Sequence, residues 1–498
     1  MKRMNNPRCI PSPSLDVRTT SGVARGWRGP VAAHWSCIPF ARQPETMRDR
    51  FSDPVPYVSD ELFDACLPNP IPLHEEKNHT DLTLSVCAPA ERAEGCPVVV
   101  YLHGGRFEHG HADEPIYRGD SFARDGVVYV TMNYRKRFDG FLPSQIPDTA
   151  AEADPKYAPE FRGVQDVLCA LRWVQKNIAA FGGDPTKVLA MGQSAGGGLL
   201  SMVLTRPEVT EESLIHRAMI MSPGLPRSGW AKRGPVAEKM LRSASNNKNK
   251  KEELSEEELT EAYRTFARRY SRDIAAGPYP LHARRMADIP LLVTGLEAEF
   301  DQFPLAKWAD QKAQEGSVGQ RLMAKGVKLV AAKAVGAPLK AVDPEHSAGR
   351  AIGNSTILRF MSQILERRRD AQAAGAQAPQ WALLYRSGEV DPGSDFVPVA
   401  GHCADIPLVF DALKSNPGFS TMFCGKNSVE GLQPVADELH RLVVGFARGN
   451  DLPWEPYERQ GTRTVREVFL SDRHSEDARD SLRFIREHYP PIPADEQA

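Results

Sequence analysis

Two uninterrupted apolar runs constrain the fold of this chain most: Pro97-Val98-Val99-Val100-Tyr101-Leu102 and Val127-Val128-Tyr129-Val130-Thr131-Met132. A strand with one wet face alternates apolar and polar residues, whereas a run that is apolar throughout and bounded by Pro or Gly must be covered on both faces. Val164, Val167, Leu168, Leu171, Val174, Ile178 and Phe181 then recur at helical spacing, and Gly182-Gly183-Asp184-Pro185 stops that helix. Val188–Met191, Ala218–Met221, Pro290–Thr294 and Trp381–Tyr385 read as further strands. Strands alternating with helices predict an α/β fold, a mostly parallel central sheet with helices on both faces.

The rest of the chain fills in around that sheet. With 498 residues, 41% of them hydrophobic and 25% charged, it can bury a large core. Its 62 basic and 64 acidic side chains lack the basic excess that a nucleic-acid partner demands. No apolar run reaches the roughly 18–20 residues of a membrane span, and Asn, Pro, Ser and Asp stand near the start where a secretory signal would be apolar. Eight cysteines without a C-x-x-C pair give no support for a zinc or redox motif, so reduced thiols in the cytoplasm are the expectation. Residues 1–20, rich in Arg, Pro and Ser, are expected to form a disordered tail, with 21–498 a single domain. Residues 244–252 read as a polar surface loop, and Ser255 with Glu258 as a capping box opening a charged helix to about Arg272. Helical insertions at about 228–285 and 305–375 are expected to form a lid over the sheet, and neither reads as strongly apolar and amphipathic.

Gly192-Gln193-Ser194-Ala195-Gly196 lies between a predicted strand and a predicted helix. A serine on such a turn needs small neighbours, points its hydroxyl out over the sheet, and gains the positive end of the following helix. It also needs a base for its proton and donors for the oxyanion that its attack creates. His103-Gly104-Gly105-Arg106-Phe107, directly after the first apolar strand, suggests the donors, because glycines let the backbone approach a substrate carbonyl. Of 13 histidines, His402 follows Ser194 after a strand and loop, in the chain order that this turn favours. His440 is expected on a helix surface and His474 and His488 in a charged C-terminal helix; His103 reads as loop support, with His109 and His111 open as pocket-lining residues. The orienting acid should follow a strand between Ser194 and His402. Pro290–Asp301 offers Glu297, Glu299 and Asp301.

Together these residues resemble the type-B carboxylesterase/lipase family of α/β-hydrolases. The likeness extends from Cys37-Ile38-Pro39-Phe40-Ala41 and Arg50-Phe51, through Asn133-Tyr134-Arg135 and Gly140-Phe141-Leu142, to Phe446-Ala447-Arg448-Gly449 and Trp454-Glu455-Pro456-Tyr457. Its most specific stretch is Ala170–Ile178, Phe181–Pro185 and Gly192–Gly197. The resemblance implies an α/β-hydrolase fold, Ser194 as nucleophile, His402 as general base, and the backbone N–H groups of Gly105, Arg106 and Ala195 as oxyanion donors. It implies a glutamate as the acid. Phe300 stands where the family has that glutamate and Glu299 lies one residue short, so a one-residue deletion would put Glu299 in the role, with Asp301 and then Glu297 as alternatives. Two further departures are the missing cysteine in His79–Leu84, where the family often forms a disulfide, and Arg106, where the family usually has Gly or Ala. The Arg106 side chain either enters the acyl pocket and favours acyl groups bearing a carboxylate, or turns outward to a neighbouring acid.

The activity implied is hydrolysis of small-molecule carboxylic esters through an acyl-enzyme on Ser194, without a metal or organic cofactor. Amide or carbamate hydrolysis, or acyl transfer to an alcohol, would use the same residues. A non-catalytic binding module of the same fold is the rival from another class.

Overall fold

The computed structural model describes residues 11–65, 80–91, 93–154, 159–245, 253–271, 273–301, 304–334, 348–388, 399–424, 428–459, 462–471 and 475–489. The predicted loop 244–252 lies almost wholly outside the described residues, as do His474 and residues 1–10.

The strands are β1 (Pro11–Thr19), β2 (Gly22–Arg28), β3 (Ala32–Pro39), β4 (Leu62–Asp64), β5 (Thr83–Pro89), β6 (Cys96–Leu102), β7 (Val128–Met132), β8 (Gly183–Gln193), β9 (Arg217–Met221), β10 (Leu291–Leu296), β11 (Gln380–Ser387), β12 (Glu458–Arg459), β13 (Thr462–Leu470) and β14 (Glu476–Arg479). They form one sheet in the order β1-β2-β3-β5-β7-β6-β8-β9-β10-β11-β13-β12, with β4 beside β2 and β14 beside β13. From β7 to β13 every neighbouring pair is parallel. The N-terminal ladder β1-β2-β3-β5-β7 is antiparallel.

The apolar runs behave as strands covered on both faces. All of β6, β7 and β10 is buried. Val98, Val100 and Leu102 pack on one side with Val164, Leu168 and Leu171 of the helix Arg162–Asn177. Val99 and Tyr101 pack on the other with Leu432, Leu439 and Val443 of the helix Ser428–Ala447. This alternation follows from the two-residue period of a strand. Each such fully buried large side chain contributes about 1.5–3 kcal/mol of hydrophobic stabilisation.

Three expectations need correction. The chain is ordered from Pro11: β1 pairs with β2, for example Val17 opposite Ala24, and Leu15 and Val17 pack on the core. The turn that follows is tied to the Arg162–Asn177 helix, since Thr20 N donates to Asn177 Oδ1 at 2.8 Å and the Trp173 indole N–H to Ser21 Oγ at 2.9 Å. Second, the capped helix runs Glu256–Arg269, closing at Tyr270 short of Arg272, with the Ser255–Glu258 capping box present. Third, within the second insertion the helix Val318–Ala334 turns Val318, Leu322 and Leu329 to solvent at helical spacing. Apolar residues therefore do line one exposed side of that segment. Among the described residues no helix is long and apolar enough to cross a membrane.

Chain order places the site. β6 leads to β7 on one flank, and the chain then returns to lay β8 on the other. The strand order thus reverses beside β6, and the carboxyl ends of β6 and β8 open a crevice where such sheets bind ligands.

Candidate active site

Ser194 follows β8 directly and stands at the N-cap of the helix Ala195–Val203. Its backbone, at φ 57° and ψ −121°, is strained for a residue with a side chain. Three contacts hold it: Ser194 N donates to Met221 O at 2.9 Å, and Ser194 O accepts from Gly198 N and from Gly224 N, each at 2.9 Å. Small neighbours are obligatory here, because a Cβ on Gly196 would lie 2.1 Å from Leu102 O and 2.6 Å from His103 O. The start of the helix therefore sits directly on the end of β6.

The loop after β6 faces the same point. A Cβ on Gly104 would stand 3.2 Å from Ser194 Cβ. Gly105, Arg106 and Phe107 follow with φ of 114°, 59° and 62°, a run of left-handed residues that turns the backbone sharply. Among the described residues no group accepts from the backbone N–H of Gly105, Arg106 or Ala195. The loop is held from behind: Tyr134 OH donates to His103 O at 2.7 Å, the two rings stack at 4.6 Å, and His103 Nδ1 lies 2.7 Å from Gly104 O. Burial pushes the His103 imidazole well below the ordinary histidine value, which fits support rather than proton transfer.

His402 Nε2 lies 2.9 Å from Ser194 Oγ, and its Nδ1 lies 2.5 Å from Glu299 Oε2. The structure thus brings Ser194, His402 and Glu299 into one hydrogen-bonded chain. The other two carboxylates turn to arginines instead. Glu297 meets Arg350 at 2.9 Å and Arg386 at 3.4 Å, and Asp301 meets Arg350 at 3.4 Å. Glu299 has a fully buried side chain and is fixed at its second oxygen by Ser222 Oγ (2.7 Å) and Leu296 N (3.0 Å). Its backbone carbonyl accepts from His402 N at 2.9 Å. Burial alone would depress the His402 pKa, but the charge and hydrogen bond of Glu299 outweigh it and leave the imidazole above its ordinary value.

Several residues at the site carry no legible sequence signal. Ser222 is one; it follows β9 and is far from Glu299 in the chain. Asp405 is another. It is wholly buried three residues after His402, and neither carboxylate oxygen makes a well-aligned hydrogen bond. The hydroxyls of Tyr101 and Tyr385, which feel its charge, are also buried without a partner. Burial, then the charge of Glu299, pushes the Asp405 carboxyl up to about 7, opposed by His402.

Arg106 takes the outward orientation. Its Nη2 donates to Asp273 O at 2.9 Å, its Nε stands 3.9 Å from Glu108, and the side chain is 48% exposed. His109 is a rim residue near Glu108, whereas His111 is buried against Asp81 (3.2 Å) and Asn133 (3.1 Å). His440 is buried, not on a helix surface, because its helix packs that side on Phe122 (ring centroids at 4.7 Å) and on Val409 O, 2.8 Å from Nδ1. The described cysteines are all free thiols. Among the described residues no three His, Cys, Asp or Glu side chains are grouped to hold a metal ion.

A parallel sheet with a strained serine at its switch point, hydrogen-bonded through a histidine to a glutamate, defines an α/β-hydrolase fold. The sequence model of the carboxylesterase family matches residues 13–274, and the chain belongs to that family. It is 34% identical over 226 residues to the para-nitrobenzyl esterase of Bacillus subtilis, covering 43% of this chain and 44% of that protein. It is 40% identical over 147 residues to the fumonisin B1 esterase of Sphingopyxis macrogoltabida, covering 29% and 26%. The chain therefore spans less than half the length of these curated relatives. Among solved structures, a PNB esterase superposes with a TM-score of 0.71 at 22% identity, over 95% of this chain and 99% of the other. A Geobacillus stearothermophilus carboxylesterase gives 0.71 at 24% identity, over 95% and 99%.

Proposed function

We propose that the chain is a serine carboxylesterase that hydrolyses small-molecule carboxylic esters, with Ser194 as nucleophile, His402 as general base and Glu299 as orienting acid. The observation that carries this reading is the continuous Ser194 Oγ–His402–Glu299 contact chain of 2.9 and 2.5 Å at the sheet's switch point. Ser194 Oγ attacks the ester carbonyl carbon while His402 Nε2 takes the hydroxyl proton. The carbonyl oxygen, now anionic, accepts from the N–H groups of Gly105, Arg106 and Ala195, whose freedom from other acceptors suits them to a charge that develops only in the transition state. Collapse breaks the bond to the alcohol oxygen, which receives the proton from His402. Water then adds to the acyl-serine by the same route, releasing the acid and restoring Ser194. Glu299 keeps Nδ1 protonated and stabilises the imidazolium.

We further read the two helical insertions as a lid on a single domain. The described cysteines, free and mostly buried thiols, favour the cytoplasm as the working compartment.

Hydrolysis of p-nitrophenyl butyrate by the wild type and by Ser194→Ala tests the assignment. The substitution should remove at least about 10⁴-fold of kcat, since a serine triad without its nucleophile retains only the contribution of binding and the oxyanion donors. A folded Ser194→Ala protein with wild-type turnover would refute it.

A further inference from the structure

The described residues expose few large apolar side chains, and these are not evenly scattered. Of nine at the surface, four stand on the one helix Val318–Ala334: Val318 (77% exposed), Leu322 (66%), Met323 (53%) and Leu329 (45%). Single exposed apolar residues need no explanation, whereas a contiguous set points to a partner.

Val318, Leu322, Lys325 and Leu329 stand at i, i+4, i+7 and i+11, a single row about 16 Å long on one side of the helix. The helix packs on Pro304–Glu315 and Ala348–Gly353, and Ala324, which faces away from the row, is fully buried. Beside the row the helix is open, since a Cβ added at Gly319 or Gly326 would meet no atom within 4 Å.

The charge on this helix has one sign. Arg321, Lys325, Lys328 and Lys333 stand with no Asp or Glu among residues 318–334, in a chain whose net charge is −2. Lys325 lies in the apolar row and Arg321 beside it, both exposed. Arg321 Nε donates to Gly316 O at 2.9 Å, and among the described residues neither cation forms an ion pair. Glu315, the nearest acid along the chain, accepts from Gln311 Nε2 at 3.3 Å. A second copy of the chain fits this face poorly, because a two-fold contact through the row would set one Lys325 against the other. An anionic lipid surface fits both features: aliphatic side chains enter the acyl boundary, while long cationic side chains lie along it and reach headgroup phosphates.

The same helix stands one layer from the triad acid. Ala348–Gly353, on which it packs, lies directly against the segment after β10. A Cβ on Gly353 would fall 2.8 Å from Glu299 Cβ, and one on Gly349 would fall 2.3 Å from Phe300 O.

We propose that the exposed face of the helix Val318–Ala334 docks the protein on an anionic lipid surface, lying in the plane of that surface rather than crossing it. The docking holds whatever the reaction is, and its test reads binding instead of turnover.

The test is co-sedimentation with vesicles of phosphatidylcholine alone and of equal parts phosphatidylcholine and phosphatidylglycerol, at low and high salt. The proteins are the wild type, Arg321→Gln/Lys325→Gln and Leu322→Ser/Leu329→Ser, with melting temperatures to confirm that the exposed substitutions leave the fold intact. The wild type should bind the vesicles with phosphatidylglycerol, more weakly as salt is added. The first double variant should lose about fivefold in partitioning for each cation removed, and the second at least about tenfold. No binding by the wild type overturns the proposal, as does equal binding to phosphatidylcholine alone or binding that neither double variant weakens. A concentration-dependent dimer that Leu322→Ser/Leu329→Ser dissociates, without vesicle binding by the wild type, overturns it in favour of a contact between copies.

Discussion

At the scale of single residues, proton affinities divide the labour. His402 sits above its ordinary value because Glu299 outweighs burial. The proposed reaction needs the neutral imidazole, so kcat/KM should rise with pH through a pKa above that of a free histidine. Glu299→Gln removes the charge and favours the wrong tautomer. It should lower kcat by about 10⁴-fold and move the acidic limb of the pH profile downward. An acidic limb that stays in place would show that Glu299 does not set the imidazole. Asp405 makes a separate prediction about stability. A carboxyl raised from 3.8 to about 7 in the folded state contributes stability that is complete below its unfolded value and is lost as pH rises through its folded one. Asp405→Asn lacks that loss, so its melting temperature should gain on the wild type between about pH 5 and about pH 8. A difference in melting temperature that is the same at both pH values would contradict the assignment.

At the scale of elements, buried ion pairs fix the segments that carry the site. Arg135 meets Asp166 of the Arg162–Asn177 helix at 2.6 Å, with both side chains almost wholly buried. The remaining arginine donors reach Arg50 O at 3.1 Å and Ser52 O at 2.6 Å. This one side chain ties the segment after β7 to the N-terminal part of the chain and to the main helix under the sheet. Asp166→Asn leaves the guanidinium buried without its anion and should cost about 3–5 kcal/mol, measured by denaturant unfolding. A loss under about 1 kcal/mol would mean that the neighbouring carbonyls satisfy Arg135 by themselves. The elements themselves were mostly legible. The buried strands announce themselves by runs without polar interruption, and the capped helix by Ser255 and Glu258. β1 was not legible, because its order comes from pairing with β2 and from side chains of a helix far along the chain. The burial of His440 is not legible in the sequence for a related reason. Its helix alone does not disclose that Phe122 and Val409 close over that face.

At the scale of the whole molecule, the site is a product of topology. Ser194 and the glycine loop are readable because each lies next to its own strand, and the fold then brings two adjacent strand ends together. Glu299 was readable only as one of three carboxylates, since spacing along the chain does not say which one turns inward. Its selection comes from Ser222 and Leu296, which fix its outer oxygen, and from the arginines that draw Glu297 and Asp301 away. Asp405 and Ser222 could not be singled out, because their meaning depends on burial against the triad rather than on a local pattern.

In the proposed reaction one serine, activated by one histidine, forms the acyl-enzyme. The most direct test is labelling by a serine-directed phosphonate, located by mass spectrometry in the wild type, Ser194→Ala and His402→Ala. One phosphonate per chain on Ser194, absent from Ser194→Ala and strongly slowed in His402→Ala, is the predicted result. A label on another residue, or labelling of Ser194 at the same rate without His402, would rule out this nucleophile and base.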